Sequence, residues 1–132
     1  KGLNFKTENE TEMAVSFKNQ KASYFKEEDI RLQVTIKMNR IDYSASKVRR
    51  EPDNFFEETH FEVREMLSNA VVLKRDLENK STKMSFYDDV YTSKIPAGTL
   101  SAGSIYKLTI SSVIEGKIYN HPDEFVFKVI EK

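Results

Sequence analysis

The side chains able to do chemistry in this chain are few. His60 and His121 are its two histidines, and it has no cysteine. Neither histidine has a second ligand at helical or hairpin spacing, so neither begins a zinc or haem site. His121 precedes Pro122 and is expected in a surface turn. Glu57, Glu58, Glu62 and Glu65 gather carboxylates within nine positions. Paired carboxylates can hydrolyse a glycosidic bond, one protonating the leaving oxygen while the other attacks or activates water. That chemistry also needs a platform for the sugar ring, and the chain contains no tryptophan. Glu27-Glu28-Asp29 and Asp88-Asp89 offer the hard oxygens that calcium takes. Their spacing is not that of an EF-hand loop, and acidic pairs in loops are ordinarily solvated charge. There is no Gly-x-Ser-x-Gly elbow, and four glycines leave no phosphate-cradling loop. No residue is therefore nominated as catalytic, cofactor-binding or metal-ligating, and the expectation is a non-enzymatic chain without a cofactor.

What remains is aromatic. Tyr24, Phe25, Phe55, Phe56, Tyr87, Tyr91 and Tyr119 fall near strand ends or in loops. Phe25, Phe56 and Tyr87 are assigned to the core, in place of the absent tryptophan. Tyr91 and Tyr119 stay open between core and a partner-binding surface, because aromatic rings concentrate at interface hot spots.

The elements that must carry these residues read mostly as strands. Residues 1–11 are polar and are taken as a lead-in, leaving residues 12–132 as one domain. Met13, Val15 and Phe17 alternate with polar neighbours. Residues 30–38 alternate without exception, five apolar side chains on one face and four polar ones on the other, as a sheet covered on one side requires. Residues 39–54 read as a long connection. Residues 55–67 carry both a helical and a strand pattern, and strand is preferred because the surroundings are strand. Short strands follow at 71–73 and 84–87, with a turn over 77–81 and a bend over 95–98. Glu115-Gly116 makes a hairpin turn, and Phe125, Phe127 and Val129 alternate on the last strand. About seven strands result. They are expected to be antiparallel, since no long amphipathic helix is available for parallel crossovers.

Composition sets the bounds. The 132 residues include 21 basic and 21 acidic side chains, a net charge of zero. No basic stripe is evident along the sequence, which argues against nucleic acid and membrane surfaces as partners. No apolar run approaches the length of a membrane span. The chain opens on Lys1-Gly2 and reads as a mature or excised segment without its targeting signal. Asn9-Glu10-Thr11 and Asn79-Lys80-Ser81 match the glycosylation pattern at a near-chance frequency. A lipid-binding β-barrel is the competing all-β reading. The chain lacks an arginine beyond Arg75 to grip a carboxylate and lacks an early Gly-x-Trp.

The most informative stretch runs from Leu100 to Ile110. Leu100 and Gly103 lead into Tyr106, after which Leu108 and Ile110 alternate with Lys107 and Thr109. A tyrosine at the mouth of such a strand is the corner residue of a Greek-key sandwich, its ring buried and its hydroxyl bonded to upstream backbone. Leu100-x-x-Gly103-x-x-Tyr106-x-Leu108-x-Ile110, with the glycine turn and closing strand up to Ile130, resembles the end of fibronectin type III and related immunoglobulin-like domains. Ala102 stands where proline is usual, and the early-strand tryptophan and inter-sheet cysteine pair are missing. The resemblance implies an antiparallel Greek-key β-sandwich. It also implies a non-catalytic structural, adhesive or protein-interaction module of a larger cell-surface, secreted or virion protein, whose partners are proteins or neighbouring domains. The alternative is a sandwich that binds a small ligand or carbohydrate on a concave face bearing Tyr91 and Tyr119. The expected core is Val15, Phe17, Ile30, Leu32, Val34, Ile36, Phe61, Val63, Val72, Phe86, Leu100, Tyr106, Leu108, Ile110, Phe125, Phe127 and Val129.

Overall fold

A computed structural model describes residues 12–39, 41–42, 47–48 and 56–132. The lead-in, Phe55 and most of the long connection lie outside the described residues. Eleven strands form, with no helix among the described residues: β1 (Glu12–Lys18), β2 (Ser23–Phe25), β3 (Ile30–Asn39), β4 (Ile41–Asp42), β5 (Lys47–Val48), β6 (Glu58–Glu65), β7 (Val71–Leu73), β8 (Ser85–Tyr87), β9 (Val90–Ile95), β10 (Ile105–Ile114) and β11 (Lys117–Ile130).

Two sheets pack face to face. One has the order β1-β3-β9-β8 and the other β2-β11-β10-β6-β7, while β4 and β5 make a separate hairpin. The ladders are antiparallel except that β2 runs parallel to β11, pairing Tyr24 with Val129. This departs from the all-antiparallel expectation. Because the two strands are distant in sequence, their parallel pairing needs no dedicated crossover helix. The strand count exceeds the expected seven because β2, β4 and β5 span only two or three residues, too few to show a period, and because β9 forms where no strand was expected.

The period-2 segments deliver their apolar faces to one interior. Ile30, Leu32 and Val34 of β3 are buried, as are Phe61 and Val63 of β6, Leu108 and Ile110 of β10, and Phe125, Phe127 and Val129 of β11. Between the sheets, Tyr24 sets its ring edge against Phe127, centroids 5.6 Å apart, while Phe17 lies 5.6 Å from Phe125. Residues 58–65 are strand, as expected, with Leu67 fully in solvent on the following turn.

Several core assignments need correction. Phe25 is 40 % exposed because the alternation in β2 turns its neighbour Tyr24 inward instead. Tyr87 is 84 % exposed for the same reason, with Phe86 taking the inner side of β8. Val72 is exposed on β7, the outermost strand, from which Leu73 alone packs against the core. The interior gains Phe56, as expected, and also Met84, Tyr91 and Ile95. The loop acids have structural employment. Asp88 and Asp89, both with positive φ, form the β8–β9 turn, and Glu28 accepts the Phe25 amide at 2.8 Å.

Candidate functional site

The β9–β10 connection is built around Tyr106. Its ring is buried, and its hydroxyl donates to the Ser101 carbonyl at 2.9 Å and accepts the Ser101 amide at 3.1 Å. Leu100 is buried beside it, and Gly103 supplies φ +96° while its amide bonds to the Val129 carbonyl at 2.8 Å. A side chain at Gly103 would meet no atom within 4 Å, so backbone conformation alone selects glycine there.

The opposite end of the sandwich holds the polar chemistry. Residues 82–87 cross between the sheets. The Phe61 amide bonds to the Thr82 carbonyl and the Met84 amide to the Thr59 carbonyl, before Ser85–Tyr87 joins β9 in the other sheet. The crossing leaves a cleft of about 390 Å³. Phe56, Met84, Phe86 and Tyr91 wall it, and Glu58 and Lys80 stand among its polar lining.

Beside the cleft, polar side chains on the inner faces are linked in a relay. The buried Tyr91 hydroxyl bonds to Thr59, and Thr59 Oγ1 lies 3.1 Å from Ser112 Oγ. Ser112 Oγ in turn lies 2.9 Å from His121 Nε2. Burial pushes the Tyr91 pKa up, against the Thr59 hydrogen bond, so the phenol keeps its proton. His121 is buried on β11, which corrects its placement in a surface turn. Three residues, 121–123, bulge opposite Ile110, so Pro122 sits within the strand. Burial pulls the His121 pKa down to about 4, opposed by Asp123, and among the described residues its Nδ1 has no hydrogen-bond partner.

The aromatic rings follow the same line. Tyr91 lies 6.5 Å from Phe56, Phe56 5.8 Å from His121, and His121 5.0 Å from Tyr119. Tyr91 also lies 4.6 Å from Phe86, so the row runs from Phe86 through Tyr91, Phe56 and His121 to Tyr119. Tyr91 is buried, whereas Tyr119 is 39 % exposed.

On the outer face of β6, His60 ties down the segment that covers it. Glu58 accepts from Nε2 at 2.8 Å, and Nδ1 lies 2.8 Å from Thr82 Oγ1, which also accepts the Asp76 amide at 2.8 Å. The hydrogen bond from His60, then that from Lys80, holds the Glu58 carboxyl below its usual range. A carboxylate so engaged accepts hydrogen bonds and is a poor general acid. Glu62 is ion-paired to Arg64 at 3.6 Å, and Glu65 accepts the amide and hydroxyl of Ser68. Glu57 accepts the Gly116 amide at 3.4 Å, so the four glutamates suggestive of glycosidase chemistry each have a different partner. As it stands, the cleft can present hydrogen bonds and ring faces to a ligand.

Sequence reasoning missed Thr59, Ser112 and His121. For His121 a signal existed: it shares inward parity with Phe125, Phe127 and Val129, and the following proline masked it. Set against known proteins, the chain matches no protein-family model and no curated protein.

Proposed function

We propose that this chain is an immunoglobulin-like Greek-key sandwich serving as a non-catalytic adhesive or protein-interaction module of a cell-surface, secreted or virion protein. The observation that carries the reading is the Tyr106 hydroxyl closing on Ser101 between β9 and β10, the corner such sandwiches use. The strand order supports it. If β1, β3, β6, β8, β9, β10 and β11 are lettered A to G, one sheet reads ABED and the other contains CFG. The short β2 and β7 then extend the second sheet at its two edges. To test the function, labelled protein is titrated onto intact cells and a panel of immobilised ectodomains. Saturable binding that excess unlabelled protein displaces is expected. No saturable binding across the panel, or substrate turnover by the pure protein, overturns the proposal.

A second reading, binding of a small ligand or carbohydrate, is favoured by the ring-walled cleft beside Tyr91. Amide shifts of Thr59, Phe86 and Tyr91 during titration with a glycan library would support it, and unmoved resonances would exclude it.

A further inference from the structure

The two outer sheet faces treat charge differently. On the five-stranded sheet the signs are mixed and paired: Arg64 lies 3.6 Å from Glu62, and Lys107 lies 3.7 Å from Glu124. On the four-stranded sheet, the register places Lys18 of β1, Arg31 and Lys37 of β3, and Lys94 of β9 on the outward side. All four are exposed, and among the described residues Glu12, at the far end of β1 opposite Asn39, is the one carboxylate whose register position falls on their face. Arg31 sits directly opposite Lys94, and Lys18 is on the diagonal from Arg31. Like charges facing each other across a ladder destabilise it. Lys94 is eased by Asp29, 3.8 Å away at the rim, whereas Lys18, Arg31 and Lys37 form no ion pair among the described residues. From Arg31 to Lys37 the strand rises about 20 Å, enough for an extended polymer.

We infer that this face docks a linear anionic polysaccharide, its sulfates or carboxylates meeting these four cations. Between the cations stand Ser16, Gln33, Thr35 and Thr92, hydroxyls and an amide able to bond sugar hydroxyls. Tyr87, 84 % exposed at the β8 edge, offers its ring to a sugar. The face has no buried apolar anchor of the kind protein interfaces need, and lysine is depleted at such interfaces. It has no row of aromatic rings for stacking single-stranded bases. Being flat, it projects no helix or ribbon into a duplex groove. The inference rests on the charges of this face and goes beyond the immunoglobulin-like reading.

The test is calorimetric titration of the whole chain with a heparin oligosaccharide, run in parallel with single-stranded DNA of equal charge. Heparin is expected to bind at least tenfold more tightly than the DNA. With three to four charge contacts, its affinity should fall roughly 40- to 150-fold between about 50 and 200 mM salt. The triple variant Lys18→Gln, Arg31→Gln, Lys37→Gln should lose at least tenfold in affinity with a melting temperature no lower than the wild type's, since it relieves the Arg31–Lys94 repulsion. Lys107→Gln with Lys128→Gln, on the other sheet, should bind like the wild type. The inference is overturned if heparin does not bind, if both sets of variants lose affinity equally, or if the DNA binds as tightly as heparin.

Discussion

Replacing Tyr106 with phenylalanine isolates one oxygen atom. The ring keeps its place 5.8 Å from Phe127, and the core volume barely changes. What disappears is a donor to the Ser101 carbonyl and an acceptor for the Ser101 amide. A buried polar group left without its partner costs about 1–3 kcal/mol. Two backbone groups lose partners here, but Ser101 lies in an exposed segment where water can recover part of the loss. A destabilisation of about 2 kcal/mol follows, near the middle of that range. For a chain of this size it corresponds to a melting point lower by roughly 6–12 °C. Thermal and urea unfolding of the two proteins measure it, with an unchanged denaturant slope showing that the native state stays compact. Tyr24→Phe is the comparison, because that hydroxyl accepts a single bond, from the Lys21 amide at 3.1 Å, and should cost less. If Tyr106→Phe melts with the wild type, or the Tyr24 variant is the more damaged, the corner does not hold the β9–β10 connection.

Three further outcomes are expected. His121 binds its proton less readily folded than unfolded, so stability is full above its ordinary pKa and falls as the pH drops toward about 4. Between about pH 7.5 and pH 5 the loss should be about 2 kcal/mol, read by urea melts, and His121→Phe should flatten that slope. Thr82→Val keeps the shape but removes the hydroxyl shared by His60 and the Asp76 amide, and should cost about 1–3 kcal/mol in chemical unfolding. Gly103→Ala meets open space, so any loss comes from φ +96° alone and should be on the order of 1–3 kcal/mol in thermal melts.

Where the sequence alternated for long enough, it specified structure. β3 was legible because nearly every residue of a ten-residue strand conforms, and Tyr106 because a corner tyrosine is a local pattern. Phe25 and Tyr87 were misplaced since a three-residue strand offers two adjacent aromatics, and only register decides which turns inward. β9 escaped notice because Val90, Thr92 and Ser93 are half-buried, which weakens its contrast. The Thr59–Ser112–His121 relay joins three strands, and no linear spacing announces a hydrogen bond between residues 53 positions apart. The basic face was invisible for a related reason. Its four cations come from three strands of a chain whose net charge is zero.

The parallel ladder between β2 and β11 ties residues 23–25 to residues 128–130. Among the described residues β2 has no other strand partner, and β11 bonds to β10 along most of its length. During synthesis, then, the early strands wait. β1 and β3 can meet as soon as they leave the ribosome, but Tyr24 finds its ring partners only when the last strand emerges. Closing so large a loop late is slow compared with local pairing. Until it closes, the apolar faces of β3 and β6 stay open to a chaperone or to a neighbouring nascent chain. Burial of Tyr24 against Phe127 thus waits on a three-residue ladder between segments about a hundred positions apart.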